Sequence, residues 1–273
     1  MYRDAQRFSR LFHSHKPIIG MVHLRALPGS PGYEGSMKAV LEAALRDADS
    51  LEQGGVDGIM IENFFDSPFF KDRVGPETVA AMSSIITAIR QRTTLPLGVN
   101  VLRNDGMSAV AIATACGCQL VRINQLSWAM LADQGILEGQ AAQILRYRRQ
   151  LDSDVLIMAD CLTKHAAPLA IQPMELVAMD TWERGGADAL VISGVATGKP
   201  TDLQDVIAAR QGAPDAPILI GSGITDENLL TLLSVADSVL VGTYLKVDGK
   251  VENTVDIARV RRLVEISRTA YPA

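Results

Sequence analysis

Short runs of aliphatic and β-branched residues recur along this chain, and a helix-like stretch ending in a small residue precedes most of them. Gly54-Gly55-Val56-Asp57-Gly58-Ile59-Met60-Ile61 is one instance, and Gly185-Gly186-Ala187-Asp188-Ala189-Leu190-Val191-Ile192 is another. Looser copies are Gly117-Cys118-Gln119-Leu120-Val121-Arg122-Ile123 and Val235-Ala236-Asp237-Ser238-Val239-Leu240-Val241-Gly242. Glycine closes a helix at little steric cost, and the apolar run behind it reads as a strand buried on both faces. The runs predict eight strands, near 17–23, 56–62, 96–101, 119–124, 155–160, 188–193, 217–221 and 237–242. Helices are predicted between them, with examples over 36–53, 77–92, 107–116, 138–150, 173–184, 226–235 and 255–269. Ser36 is placed to cap the first, Pro76 to enter the first turn of the second, and Thr225 to cap the helix over 226–235.

Strict alternation of short buried strands and helices implies a parallel sheet. Eight such units in one chain imply closure, so the expected fold is α/β, a single (β/α)8 TIM barrel over residues 1–273 with a helical extension over 1–16. A doubly wound open sheet is the alternative, but no G-x-G-x-x-G motif follows the first strand.

In a closed barrel of this kind, ligands meet the C-terminal ends of the strands. Two poles of chemistry stand there. The first is glycine-rich: Ser193-Gly194 with Thr197-Gly198 after strand six, Gly221-Ser222-Gly223 after strand seven, and Gly242-Thr243 with Lys246 after strand eight. Small residues let backbone N–H groups approach an anion, and a following helix adds aligned donors. The expectation is a phosphate-binding barrel whose ligand is a phosphorylated small molecule. The other reading is that these are ordinary turn glycines.

The second pole holds His23, Glu62, Asn63, Asn100, Arg122, Asn124 and Asp160 near the ends of strands one to five. Side chains alternate along a strand, so Met60 and Glu62, Arg122 and Asn124, and Met158 and Asp160 each share a face. If that face is the interior, carboxylates and a guanidinium converge near the mouth, either as a reactive site or as a structural ion network. In Asp160-Cys161-Leu162-Thr163-Lys164-His165, the lysine and histidine are candidates for proton transfer, and their alternative is a solvated surface pair. Catalytic roles fall to Asp160, Lys164, Glu62, His23 and His165; Asn63, Asn100, Asp105, Arg122 and Asn124 are expected to bind substrate. Asp105, in Asn104-Asp105-Gly106, reads first as a helix cap and second as a ligand. Phe64-Phe65-Asp66-Ser67-Pro68-Phe69-Phe70 reads as a lid over the ligand, a subunit interface of a homo-oligomer, or packing against a neighbouring loop.

Charge and composition narrow the classes. The net charge of −5 and the 5% aromatic content leave neither a basic surface nor a stacking platform for nucleic acid. No apolar run is long enough to span a bilayer, and the first residues show no apolar signal core, so a cytoplasmic location is expected. Cys116, Cys118 and Cys161 read as small buried hydrophobes. No cofactor is expected. A metal-dependent variant would draw on His23, Glu62, Asp105 or Asp160, but no H-x-H or H-E-x-x-H spacing supports it.

Several segments together resemble the BtpA family, also called the BtpA/SgcQ family, from end to end. They are Gly20-Met21-Val22-His23-Leu24 with Leu27-Pro28-Gly29-Ser30-Pro31, Asp57-Gly58-Ile59-Met60-Ile61-Glu62-Asn63, and Gly98-Val99-Asn100-Val101-Leu102-Arg103-Asn104-Asp105. Further matches are Ala159-Asp160 with Lys164-His165-Ala166, Gly221-Ser222-Gly223 with Glu227-Asn228, and Val241-Gly242-Thr243 with Lys246 and Asp248-Gly249. The resemblance implies a TIM barrel without a settled reaction. One branch of the family is associated with sugar utilisation, while its namesake is needed to accumulate photosystem I. Two functions therefore stand: an isomerase, epimerase, lyase or hydrolase acting on a phosphorylated sugar or nucleotide-like ester, or a non-catalytic assembly factor working through a protein surface such as the Phe64–Phe70 loop.

Overall fold

Each apolar run forms a strand because its alternate residues find two different cores. In the computed structural model, which describes residues 6–194 and 196–272, the strands are β1 (Ile18–His23), β2 (Gly58–Glu62), β3 (Leu97–Asn100) and β4 (Leu120–Ile123). They continue as β5 (Leu156–Asp160), β6 (Ala189–Ile192), β7 (Ile218–Ile220) and β8 (Ser238–Val241). All pair in parallel with their sequence neighbours, and β8 pairs with β1 to close an eight-stranded barrel. Outward residues such as Val22, Ile59, Ile61, Val121 and Ile157 pack against the helix ring. Inward residues Ile19, Met60, Leu120, Leu156, Met158 and Leu219 form a second, interior cluster.

The barrel floor is closed by aromatic side chains from the N-terminal segment. Phe8 and Phe12 join the interior cluster, with ring centroids 5.1 Å apart. The expected helical extension over 1–16 is a single helical turn, Gln6–Ser9, among the described residues; residues 1–5 and Val195 of the loop after β6 lie outside the description. Gly58 stands where a Cβ would meet Phe12 and Ile19, which explains why that inward position carries no side chain.

Register sets the level at which apolar interior gives way to polar mouth. His23 pairs with Glu62, Glu62 with Asn100, and Asn100 with Arg122. The last residues of β1, β2 and β3 and the penultimate residue of β4 thus stand side by side, with Glu62 one layer above the buried Met60 on its own strand.

Most predicted helices appear within a few residues of their expected bounds, such as Met37–Gly54, with Ser36 as its cap and Gly55 left-handed after it, and Pro76–Arg90. Two departures matter. The helix that alternation places between β6 and β7, for which the sequence suggested no bounds, is Leu203–Gly212; it buries only Val206 and Ala209, too narrow an apolar stripe to stand out. The helix expected over 226–235 is reduced to Leu229–Leu233, and Thr225 does not cap it. Instead the Asn228 side chain accepts from the Thr225 amide at 2.8 Å. Residues 129–132, 135–138 and 166–168 form a small antiparallel sheet beside the mouth. The helix expected to begin at 138 therefore starts at Ala141.

Candidate active site

The polar layer opens into a cavity of about 580 Å³ at the C-terminal end of the barrel, lined from the loops after nearly every strand. That volume suits a small organic ligand.

The inner wall is built around Arg122. Its Nε donates to Asp160 Oδ1 at 2.8 Å and its Nη2 to Asp160 Oδ2 at 2.9 Å, a two-point contact that fixes the guanidinium plane. Asn124 Nδ2 donates to the same carboxylate at 3.0 Å. Burial works against the Arg122 cation, but the Asp160 charge and hydrogen bonds outweigh it and hold the group further into its protonated form. Asp160 itself does not line the cavity, and both its oxygens are occupied. Its geometry is that of a group holding Arg122 and Asn124 in place, set back from the cavity that its expected catalytic role would have it face.

Glu62 is different. It lines the cavity, is buried, and makes no ion pair or side-chain hydrogen bond among the described residues. Burial raises its carboxyl above the ordinary range, against the pull of Arg122 and Lys164. Lys164 faces the same space. Thr163 anchors its loop, its hydroxyl oxygen lying 2.5 Å from the Asn124 carbonyl oxygen and 2.6 Å from Gln125 Oε1, between which its one hydrogen is shared. Burial, reinforced by Arg122, pushes the Lys164 ammonium down to about 8. A carboxyl that tends to keep its proton and an amine that tends to lose one thus share a cavity, the pairing that acid–base chemistry needs near neutral pH.

His23 stacks on Phe64 with ring centroids 4.4 Å apart, and its Nδ1 is buried without a partner among the described residues. Burial and then the charges of Lys246, Lys164 and Arg122 hold its pKa well below the ordinary value, so it lines the cavity as a neutral imidazole. His165 lies at the rim, where its Nε2 accepts from the Thr197 amide at 3.2 Å. Burial, then Arg103 and Lys164, lower its pKa.

The glycine turns form the outer wall. Gly221, Ser222, Gly223, Gly242, Thr243, Thr197 and Gly198 all line this cavity. Among the described residues, the amides of Ser222, Gly223 and Thr243 donate to no protein acceptor. A Cβ at Gly198 would lie 3.9 Å from Thr243 Oγ1, so the loops after β6 and β8 meet. Space is tight at three positions: a Cβ at Gly221 would sit 2.4 Å from Ser193 Oγ, one at Gly223 2.4 Å from Pro200 Cα, and one at Gly242 2.7 Å from His23 Cε1. The helix behind the Gly221–Gly223 turn is only Leu229–Leu233, so the polar groups this wall presents are loop amides and hydroxyls rather than the start of a long helix.

Several expected ligands stand elsewhere. Lys246 is 1% exposed and its Nζ donates to Asp47 at 2.5 Å, a buried ion pair between the β8 loop and the helix Met37–Gly54. Asp105 caps the helix Gly106–Ala115, accepting from the Ser108 amide at 2.9 Å, and accepts from the Val74 amide at 3.0 Å. Asn63 accepts from the Leu102 amide at 2.7 Å and donates to Asp66 at 3.1 Å, joining the loops after β2 and β3. Asn100 donates to the Arg122 carbonyl at 3.0 Å and to Asn124 Oδ1 at 3.2 Å without lining the cavity. Ser193 and Gly194 lie behind the wall, where the Gly194 amide donates to Ser222 Oγ at 2.8 Å.

Two arginines were not anticipated. Arg103, one residue before Asn104-Asp105, lines the cavity and donates from Nη2 to the Lys164 carbonyl. Arg259, from the C-terminal helix Ile257–Ala270, reaches the outer wall, where its Nε donates to the Tyr244 carbonyl at 2.6 Å. The first lay inside a motif whose cap attracted attention instead; the second has no local signal at all. Phe64, Phe65 and Phe69 line the cavity, whereas Phe70 is 63% exposed. Burial pushes the Cys118 thiol up to about 12 and the Cys161 thiol higher still, so neither is a ready thiolate. Among the described residues, no group of three or more His, Cys, Asp or Glu side chains is placed to hold a metal ion, and no helix is long and apolar enough to cross a membrane.

The sequence model of the BtpA family matches residues 14–269. The Photosystem I biogenesis protein BtpA of Synechocystis sp. is 45% identical over 93% of this chain and 88% of its own length. An uncharacterized protein of Thermococcus kodakarensis is 47% identical over 93% of this chain and 95% of its own length. Among solved structures, N-(5'-phosphoribosyl)anthranilate isomerase from Pyrococcus furiosus superposes with a TM-score of 0.57 at 11% identity, covering 93% of this chain and 100% of that one. At that identity the likeness speaks for the TIM-barrel fold alone.

Proposed function

The chain belongs to the BtpA family, and from that premise we propose that it is an enzyme acting on a phosphorylated small molecule, a sugar phosphate or nucleotide-like phosphate ester. One observation carries the reading: a single cavity has unbonded turn amides on one wall and Glu62, Lys164 and Arg122 on the other. The Ser222, Gly223 and Thr243 amides, with the Thr243 hydroxyl and Arg259, hold the phosphate and fix the orientation of the rest. Arg122, locked by Asp160, stabilises negative charge that develops on a carbonyl or hydroxyl oxygen. Glu62 and Lys164 then give and take protons, which suits an isomerisation, epimerisation or bond cleavage. Resemblance of fold to phosphoribosylanthranilate isomerases is consistent with such a ligand.

The test is a thermal-shift screen of sugar phosphates and nucleotides, with and without divalent cations, followed by turnover assays on the hits. A ligand at a hundredfold excess over its Kd raises stability by about 2.7 kcal/mol. Lys164→Ala and Glu62→Gln should each lose turnover while still binding the ester. A screen in which no phosphate ester shifts the midpoint overturns the proposal, and so does full turnover in both variants.

A second reading, an assembly factor, is raised by the name of the Synechocystis relative. The exposed apolar side chains of Leu131, Leu169 and Ile171, at 52%, 52% and 89%, supply a surface for it beside the small antiparallel sheet. Under that reading, Ile171→Ser with Leu169→Ser abolishes capture of a partner that Lys164→Ala still captures. Equal capture by all variants counts against this surface.

A further inference from the structure

A guanidinium stays protonated throughout the accessible pH range, so a buried one needs an anion or a full set of acceptors. Arg122 has Asp160. Arg103 has no such partner. It is 6% exposed, lines the cavity, and makes no ion pair with a carboxylate among the described residues. Among the described residues its one side-chain hydrogen bond goes from Nη2 to the Lys164 carbonyl, and Nε and Nη1 have no protein acceptor. Asp160, Glu62 and Asp133 attract it from a distance. Asp160 is already taken by Arg122 and Asn124, and Glu62, which Arg103 attracts only from a distance along with Arg122 and Lys164, makes no ion pair with it among the described residues.

The position of Arg103 adds direction. Around the barrel the strands run in the order β1, β8, β7, β6, β5, β4, β3, β2. The loop carrying Arg103 follows β3, and the Gly221–Gly223 turn follows β7, the strand diametrically across the mouth. The cavity therefore has cationic or N–H-rich ends on opposite sides, with Glu62 and Lys164 between them.

We infer that Arg103 forms a second anion subsite, and that the ligand of this cavity carries a carboxylate or a second phosphate at the end opposite its phosphate ester. The inference rests on the phosphate-ester reading above and makes it narrower. The ligand's second acid group meets the free face of the guanidinium, and the phosphate meets the turns after β7 and β8.

Isothermal titration tests it with glucose 6-phosphate, 6-phosphogluconate, fructose 1,6-bisphosphate and gluconate. The two phosphate esters with a second acid group should bind at least about tenfold more tightly than glucose 6-phosphate, because a charge-assisted bidentate contact is gained. A preference for 6-phosphogluconate over the bisphosphate assigns the subsite to a carboxylate, and the reverse assigns it to a phosphate. Arg103→Met should erase the preference, losing about tenfold more affinity for the esters with two acid groups than for glucose 6-phosphate, while Arg103→Lys should retain part of it. If Arg103→Met does not fold, the wild-type ratio and Arg103→Lys decide. Equal affinity of the wild type for esters with one and with two acid groups overturns this inference and leaves the phosphate-ester reading standing, as does an equal loss of both in Arg103→Met. Failure of every phosphate ester to bind overturns both.

Discussion

The Nζ of Lys164 donates to the carbonyl oxygen of Gly221 at 2.9 Å. That bond ties the loop leaving β5 to the turn leaving β7 and makes the wall of Glu62 and Lys164 and the glycine wall parts of one cavity. A neutral carbonyl does little to hold a cation, and Arg122 repels one. Lys164 is therefore poised where it can be an amine.

The first prediction follows from that poise. The Lys164 ammonium is pushed down to about 8 from 10.5. Between those values the unfolded chain binds a proton that the folded chain does not, so stability rises with pH across the window. Lys164→Met lacks this slope. The melting temperature of the wild type should climb relative to the variant between pH 8 and 10. A gap that is flat over that range shows that the amine is not desolvated in solution. On a turned-over substrate, the same variant should lose about 10²–10⁴ in kcat.

Breaking the Arg122–Asp160 pair should damage the fold as well as the site. Asp160 is 0% and Arg122 3% exposed in side chain. Asp160→Ala leaves a buried guanidinium unpaired and should cost about 3–5 kcal/mol in urea unfolding. Adding Arg122→Met should recover much of that loss without restoring ligand turnover. No recovery in the double variant would mean that Asp160 supports the barrel by contacts other than this pair.

Gly242→Ala places a methyl 2.7 Å from His23 Cε1. The ring is pinned by Phe64, so the added carbon should shift the histidine or the turn. We expect a modest stability loss of about 1–3 kcal/mol and a large rise in Kd for any phosphate ester. Titration giving an unchanged Kd removes the Gly242 turn from the ligand site.

Lys246 separates structure from function. Its ion pair with Asp47 is buried on both sides, at 1% and 10% side-chain exposure. Lys246→Met should destabilise the protein by about 3–5 kcal/mol because it strands a buried carboxylate. At a temperature where the variant is folded, its phosphate-ester affinity should match that of the wild type. A selective loss of affinity would return Lys246 to the ligand site.

Strand positions, barrel closure and the family were legible in the residues, because a strand buried on both faces writes an unbroken apolar run and small residues punctuate each helix end. Alternation also placed Glu62, Arg122 and Asp160 on one face before their neighbours were known. The helix Leu203–Gly212 was not legible, since a helix that buries little writes little periodicity.

The roles of the polar residues were decided only by the closed barrel. Sequence treats Asp160 and Glu62 alike, as acids at strand ends. Tertiary structure gives Asp160 a guanidinium and an amide, and leaves Glu62 facing the cavity with neither. Sequence likewise put Lys246 beside the glycines and overlooked Arg103 and Arg259. Direction explains the difference: a side chain's neighbour along the chain is fixed by covalent bonds, but its partner across space depends on the twist and register of strands far away in sequence. The chain alone therefore determined a barrel with a polar mouth, and folding determined which of those polar groups are paired and which remain free to meet a ligand.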